Sequence, residues 1–99
     1  MLNIEKTVAN GKAVLKPEGR LDTLTAPEME SAIKELLPDL SELTLDFEKL
    51  EYISSAGLRV LLSAQKAIGA KGEMKVCHVN ETVMEIFEVT GFSDILNIL

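Results

Sequence analysis

The sequence predicts a single α/β domain, spanning residues 1–99, with a mixed and mostly parallel central sheet. Three observations carry this prediction. The chain has 99 residues, of which 46% are hydrophobic and 26% charged, a composition that suits one domain with one core. Asn10-Gly11 separates two extended segments and is a strong β-hairpin signal. Helical and extended patterns then alternate in the order β-β-α-β-α-β-α-β, which is typical of parallel sheets.

An opening hairpin accounts for the start of the chain. Residues 2–8 alternate roughly between apolar and polar side chains, and residues 13–15 form a second extended run. Proline lacks the N–H that a central strand donates, and glycine weakens a strand interior. We therefore expect Pro17 and Gly19 to end the second strand.

The first helix and the next strand follow from capping and periodicity. The segment Thr25-Ala26-Pro27-Glu28 matches a capping box, with Thr25 as the N-cap and Glu28 three residues further on. Apolar residues then recur at helical spacing until Pro38. Residues 43–47 alternate and predict a strand, and the apolar residues from 50 to 53 continue toward the second helix.

The remaining elements alternate between helix and strand. Apolar residues at helical spacing predict a second helix over residues 55–68, and residues 74–79 predict a strand. Asn80 is a good N-cap for a third helix, and Gly91 stands where a C′ residue belongs. Residues 95–99 predict a last short strand.

Charge and composition exclude several classes of function. The net charge is −6 and the isoelectric point is about 4.7, so the chain offers no basic stripe for nucleic acid or for an anionic membrane surface. No apolar run approaches the length of a membrane helix, and the N-terminal residues do not resemble a signal peptide. A single cysteine forms no intrachain disulfide, which fits a reducing compartment. We expect a cytoplasmic protein.

Two adjacent serines, Ser54 and Ser55, stand where an extended segment ends and an apolar helix begins. A helix N-terminus favours negative charge, so a phosphate on one of these hydroxyls would be well placed there. A plain N-cap is the alternative interpretation. Gly57 supports either a partner that approaches Ser55 or tight packing against the sheet. A second loop, which contains Asp22, also precedes a helix and is therefore expected at the same edge of a parallel sheet.

No pattern for an enzyme, a cofactor or a metal is apparent. The chain has neither a glycine-rich nucleotide motif nor a nucleophile elbow around Ser55. Cys77-His78 lacks metal-ligand spacing, so we expect Cys77 in the core and His78 at a sheet edge or partly buried. The acidic residues near the second helix are expected on a solvated loop; they are Asp46, Glu48 and Glu51.

Three segments together resemble the STAS family, specifically bacterial anti-sigma factor antagonists. Residues 19–26 (GRLDTLTA) match the family pattern G-x-L-D-x-x-T-A. Residues 45–58 (LDFEKLEYISSAGL) match its L-D-hydrophobic…I-D-S-[ST]-G-L signature. Gly91-Phe92 matches the pair that closes the third helix. The resemblance implies the STAS fold over nearly the whole chain.

The resemblance also implies site residues. Ser55 takes the phosphorylated position, and Ser54 takes the position of the family's aspartate. Ala56 replaces a hydroxyl residue, which makes Ser55 the clearer target and leaves Ser54 as the less favoured alternative. The implied partner-binding positions are Asp22, Thr23, Ser54, Gly57 and Arg59. Arg59 stands one turn after Ser55, where it either helps to neutralise a phosphate or forms part of a solvated helix face.

The implied function is a non-enzymatic partner switch. The unphosphorylated protein binds an anti-sigma factor that is also a serine kinase, and a sigma factor is thereby freed. The kinase then phosphorylates Ser55, which releases the antagonist from the anti-sigma factor. A serine phosphatase removes the phosphate and restores the binding form. A STAS subunit of a lipid-transporting ATP-driven complex is the alternative. A small hydrolase with Ser55 as nucleophile is a third hypothesis, which the lone histidine disfavours.

Overall fold

A computed structural model describes residues 2–69 and 72–99. Within these residues the chain forms six strands and three α-helices, together with short 3-10 helices at Leu37–Asp39 and Phe92–Asp94. In chain order the main elements are β1 (Asn3–Ala9), β2 (Lys12–Leu21), α1 (Ala26–Leu36), β3 (Glu42–Asp46), β4 (Leu50–Ile53), α2 (Ser55–Gly69), β5 (Glu73–Cys77), α3 (Glu81–Thr90) and β6 (Asn97–Ile98).

The sheet is mixed and mostly parallel, which confirms the predicted fold class. Its strand order is β1-β2-β3-β5-β6, and β4 pairs with β2 outside this path. Only the β1–β2 hairpin is antiparallel among the described pairings. Asn10 and Gly11 both have positive φ, 52° and 77°, as a tight hairpin turn requires.

The second strand is longer than predicted, because neither Pro17 nor Gly19 ends it. Lys12–Leu15 pairs with β3, and the later part of β2, from Gly19 to Leu21, pairs with β4. Pro17 lies between these two parallel pairings, so its missing N–H falls where β2 changes partner. Gly19 has a φ of 116° and marks the register shift. The segment 50–53 is a strand of its own, which the predicted element order lacked.

Thr25 is the N-cap residue of α1, as predicted, but the predicted capping box does not form because its side chain makes no capping bond. Thr25 has a helical backbone (φ −100°, ψ −15°), whereas an N-cap that bonds forward has an extended one. Its hydroxyl bonds backward instead, donating to the Arg20 carbonyl at 2.7 Å and accepting from the Asp22 N–H at 2.9 Å. Thr25 therefore closes the loop that precedes α1.

The ends of α3 agree with the predictions, while the strand before it is shorter. Asn80 Oδ1 accepts a bond from the Val83 N–H at 2.8 Å, and Gly91 has the left-handed φ of 84°. The predicted strand over 74–79 ends at Cys77, since His78 has a φ of 57°. The last strand is confined to Asn97–Ile98 and follows a 3-10 helix.

One face of the sheet carries the core and the other face is more open. The fully buried side chains that lie side by side in the register are Leu15, Leu45 and Val76. Their neighbours on the opposite face are only half-buried; they are Val14, Thr44 and Lys75. The buried apolar side chains of the helices join the first set in a single core. The loops that follow the carboxyl ends of these strands are therefore attached to a buried layer of the sheet.

Candidate functional site

The carboxyl ends of β2 and β4 bring the two predicted loops together. These strands run parallel, with Leu21 opposite Ile53. The Ser54 N–H donates to the Leu21 carbonyl at 2.9 Å, which joins the two strand ends just before the chain enters α1 and α2. Asp22 follows Leu21 directly, so the Asp22 loop and the Ser54-Ser55 segment lie at the same edge of the sheet, as the sequence predicted.

The two serines differ in accessibility. The Ser54 carbonyl accepts the Leu58 N–H at 2.9 Å, so Ser54 is the residue before α2 and Ser55 is its first residue. Ser54 Oγ is buried and has no hydrogen-bond partner among the described residues, so it does not cap α2. Ser55 is exposed. Its hydroxyl lies at the end of the helix where backbone N–H groups favour an anion.

Gly57 lies beneath this surface rather than on it. A Cβ at this buried position would come within 2.7 Å of Ile53 Cγ1 and 2.8 Å of Leu21 Cγ, and within 3.0 Å of the Leu21 carbonyl oxygen. The structure therefore supports the packing interpretation of Gly57. Because Gly57 has no side chain, the start of α2 can pack closely against the ends of β2 and β4.

The loop from Asp22 to Thr25 is held by its own hydrogen bonds. Asp22 Oδ1 accepts from the Leu24 N–H at 3.0 Å and the Thr25 N–H at 3.2 Å. Desolvation alone would raise the pKa of Asp22, but the bonds from Thr25 and Leu24, with the nearby Arg20 charge, lower that pKa below its usual value. Arg20 is itself placed by Tyr52, whose ring centroid lies 4.5 Å from the guanidinium carbon. Asp22 is thus a fixed carboxylate at neutral pH.

A shallow groove of about 410 Å³ runs between the starts of α1 and α2. Its lining residues are Thr23, Ala26, Pro27, Glu30, Ala56, Arg59, Val60 and Ser63. Leu24 follows the lining residue Thr23 in the chain and is 87% exposed, and sequence reasoning missed this residue. The available signal was a lone leucine between the loop residues Thr23 and Thr25. We call residues 22–24, 55, 56 and 59 the Ser55 surface.

A second polar cluster lies where β3 and β5 end. His78 Nδ1 is 2.8 Å from Asp46 Oδ1, and Cys77 Sγ is 3.7 Å from the same nitrogen. The Glu48 N–H donates to Asp46 Oδ1 at 3.1 Å, and Lys16 Nζ lies 3.9 Å from Asp46 Oδ2. We call Asp46, Cys77 and His78 the Asp46 corner. It brings together residues 31 and 32 positions apart in sequence.

Three predictions are corrected at this corner. Asp46 is only 7% exposed rather than part of a solvated loop, whereas Glu48 and Glu51 are exposed as expected. Cys77 is half-buried rather than a core residue, because it lies on the more open face of the sheet. The side chain of His78 is 61% exposed and lies beyond the strand, not on it.

Charges and hydrogen bonds shift the pKa values at the Asp46 corner. Desolvation would raise the pKa of Asp46, but the bonds from His78 and the Glu48 N–H, with the charges of His78 and Lys16, lower it. The hydrogen bond to Asp46 raises the pKa of His78. Burial, reinforced by the Asp46 charge, raises the pKa of the Cys77 thiol.

The geometry does not support the hydrolase hypothesis. Within residues 2–69 and 72–99, the side-chain hydrogen bonds of His78 go to Asp46 and Cys77, and none joins it to Ser55.

Among the helices of residues 2–69 and 72–99, none combines the length and apolar character needed to cross a bilayer.

The site and the fold together define the class of protein. The family model for the STAS domain matches residues 3–99, so the chain belongs to the STAS domain family. Sequence relatives agree. The anti-sigma-B factor antagonist of Staphylococcus aureus is 28% identical over 99 residues, covering 98% of this chain and 92% of that protein. BtrV of Bordetella bronchiseptica, provisionally described as an anti-sigma factor antagonist, is 34% identical over 89 residues, 87% of this chain and 76% of that protein.

Solved structures share the fold. An anti-sigma factor antagonist from Mycobacterium paratuberculosis superposes with a TM-score of 0.90 at 22% identity, covering 99% of this chain and 85% of the other. The Bacillus cell fate determinant SpoIIAA, in its phosphorylated form, gives a TM-score of 0.75 at 18% identity, over 100% of this chain and 91% of the other. These matches confirm the predicted STAS fold.

Proposed function

We propose that this protein is an anti-sigma factor antagonist that phosphorylation of Ser55 switches off. The observation that carries the proposal is the contrast between two adjacent hydroxyls. Ser55 is exposed at the first residue of α2, while Ser54 Oγ is buried. Relatives that match nearly the whole chain are named anti-sigma factor antagonists, which makes an anti-sigma factor the partner to test. A protein of this fold, SpoIIAA, has been solved in a phosphorylated form.

The Ser55 surface suits a partner in the unphosphorylated state. Leu24 offers an exposed apolar side chain, and the groove beside it is bordered by small side chains such as Ala26 and Ala56. Asp22 supplies a fixed negative charge near this apolar area. A partner with an apolar pocket and a basic rim would complement these groups. No rearrangement of the loop is needed for binding, since its hydrogen bonds already hold it.

Phosphorylation would change this surface without unfolding it. A kinase moves the γ-phosphoryl group of ATP to Ser55 Oγ, the hydroxyl proton leaves and ADP is released. The phosphoserine brings a charge of about −1.5 to −2 at pH 7. The N-terminus of α2 favours that charge within the domain, and Arg59 stands four residues further along the same helix face. In the complex, the same charge must be desolvated next to Asp22, so the partner dissociates. A serine phosphatase then restores the binding state.

A capture experiment tests this function. Wild type, Ser55→Glu and a matched control, Ser31→Glu on the exposed side of α1, are used as baits in host extract, and mass spectrometry identifies the bound proteins. We expect wild type and Ser31→Glu to retain an anti-sigma factor with a kinase domain, and Ser55→Glu to lose at least about nine tenths of it, since ~1.4 kcal/mol is a tenfold change in affinity. Capture of transporter subunits by all three baits would instead favour the lipid-transport alternative.

The apolar part of the surface has its own test. Leu24→Ala removes the exposed side chain of the loop, and Val89→Ala is the matched control on α3, where the side chain is also largely exposed. Truncating a hot-spot residue at the centre of an interface costs about 2 kcal/mol or more of binding free energy, and the test assigns Leu24 to that class. We expect Leu24→Ala to weaken binding of the captured partner more than tenfold and Val89→Ala to leave it unchanged. Equal affinities for both variants would remove Leu24 from the interface.

A further inference from the structure

The Asp46 corner gathers three kinds of metal-ligating atom from two strands. Asp46 Oδ, Cys77 Sγ and His78 Nδ1 all lie within 4.8 Å of one another. Sequence spacing alone offered only the Cys77-His78 pair, and the parallel pairing of β3 with β5 adds the carboxylate by setting Asp46 opposite Cys77. We propose that these three side chains form a binding site for a zinc-type divalent ion, with a fourth coordination position open to water.

Two of the three ligand pairs have distances that can be compared directly with those such an ion requires. Zinc–sulfur and zinc–nitrogen bonds of about 2.3 Å and 2.0 Å, at a tetrahedral angle, set the two ligand atoms about 3.5 Å apart. Cys77 Sγ and His78 Nδ1 are 3.7 Å apart. A nitrogen and an oxygen sharing the ion need about 3.4 Å, whereas Asp46 Oδ1 and His78 Nδ1 are 2.8 Å apart. The ion would therefore replace that hydrogen bond, and the exposed ring of His78 is free to make the shift.

The supporting contacts fix two of the three ligands. The Phe47 N–H donates to the Cys77 carbonyl at 2.9 Å, which holds the two strand ends together. The Glu48 N–H donates to Asp46 Oδ1 and orients the buried carboxylate, as hydrogen-bond donors to ligating carboxylates do at metal sites. His78 has a φ of 57°, a left-handed conformation that histidine adopts more often than most residues, and its ring lies against Asp46. The backbone N–H groups of Phe47 and Glu48 therefore support Cys77 and Asp46 at the positions where they would share an ion.

The chemistry of the donors selects the class of ion. A thiolate with an imidazole and a carboxylate suits zinc and similar transition ions, while magnesium and calcium prefer oxygen donors alone. Three protein ligands leave one position for water. One neighbouring charge opposes the site, because Lys16 Nζ lies 3.9 Å from Asp46 Oδ2. Removing the Lys16 charge should therefore strengthen binding of the ion, whereas removing a ligand should weaken it.

The test uses the full chain, free of any tag and kept reduced, with cobalt as a spectroscopic probe and zinc in competition. We expect cobalt to produce a thiolate charge-transfer band that Cys77→Ser abolishes. Losing a residue that only supports a metal ligand commonly costs 10- to 100-fold in metal affinity. Removing a ligand itself should cost at least as much, so we expect Cys77→Ser and Asp46→Asn each to bind zinc at least about tenfold more weakly. Lys16→Gln should bind zinc more tightly than wild type. Asp94→Asn, at an exposed aspartate away from the corner, is the matched control and should behave as wild type.

Two results would contradict the proposed metal site. Absence of the thiolate band in wild type would overturn the proposal. So would equal zinc affinity in wild type, Cys77→Ser and Asp94→Asn, which would indicate adventitious binding to surface carboxylates. Circular dichroism checks the fold of each variant. If Asp46→Asn does not fold, the conservative Cys77→Ser and the partly exposed Lys16→Gln still decide the outcome.

Discussion

The Ser55 surface and the Asp46 corner occupy comparable places in the fold but have opposite chemical character. Both lie at carboxyl ends of parallel strands, β2 and β4 for the first and β3 and β5 for the second. At the Ser55 surface the exposed hydroxyl and leucine project outward, and the loop's polar groups bond to its own backbone. At the Asp46 corner the side chains bond to one another. Two loops at the same edge of the sheet can therefore present different chemistry, because their side chains have different hydrogen-bond partners.

The largest loss of stability is expected from a substitution beneath the Ser55 surface, where α2 packs against β2 and β4. Gly57→Ala inserts a methyl group against the buried Ile53 and Leu21, and overpacking of this kind costs about 2–3 kcal/mol of unfolding free energy. Gly69→Ala is the matched control, because a Cβ there meets nothing within 4 Å. Urea denaturation should show a large loss for the first and almost none for the second. Equal stability with lost partner binding would favour the alternative role of Gly57 as a contact.

A smaller effect is expected from the loop itself. Thr25→Val keeps the shape of a side chain that is 6% exposed but removes its bonds to Arg20 and Asp22, leaving polar backbone groups unpaired. We expect a loss of about 1–2 kcal/mol in unfolding free energy. Thr23→Val, at an exposed residue of the same loop, is the control and should leave the stability unchanged. If both variants are equally stable, the loop is not held by Thr25.

The smallest and most pH-dependent effect belongs to the Asp46 corner. The raised pKa of His78 means that its ion pair stabilises the fold below about pH 6.5 and is lost as pH rises through the raised value. The lowered pKa of Asp46 means that the pair persists above about pH 3.8 and is lost as pH falls through the lowered value. The stability difference between wild type and His78→Gln should therefore be largest between these limits. Denaturation with a chelator present measures it, and a difference that grows above pH 8 would contradict the assignment.

The contrast also explains what the sequence could predict. The hairpin turn, the Asn80 cap, the Gly91 C-terminus and the position of Ser55 depend on residues close in sequence, and all were predictable. The exposure of Leu24 had only a weak local signal. The direction of the Thr25 hydroxyl depends on backbone angles in the loop, which a capping pattern does not specify.

Long-range pairing accounts for the rest. Pro17 lies within β2 because that strand changes its parallel partner there, and no local rule reveals which strands flank a proline. Asp46 is buried against His78 because β3 and β5 pair in one particular register. A shift of one residue would turn Asp46 toward the core face. The Asp46 corner was therefore invisible to motif spacing.

We propose that Ser55, and not Ser54, is the residue whose phosphorylation controls partner binding. The most direct measurement incubates wild type, Ser54→Ala and Ser55→Ala with the captured kinase and ATP, and maps the phosphorylated residue by mass spectrometry. We expect phosphate on Ser55 in wild type and in Ser54→Ala, and none in Ser55→Ala. Phosphate on Ser54 in wild type, or undiminished phosphorylation of Ser55→Ala, would contradict it.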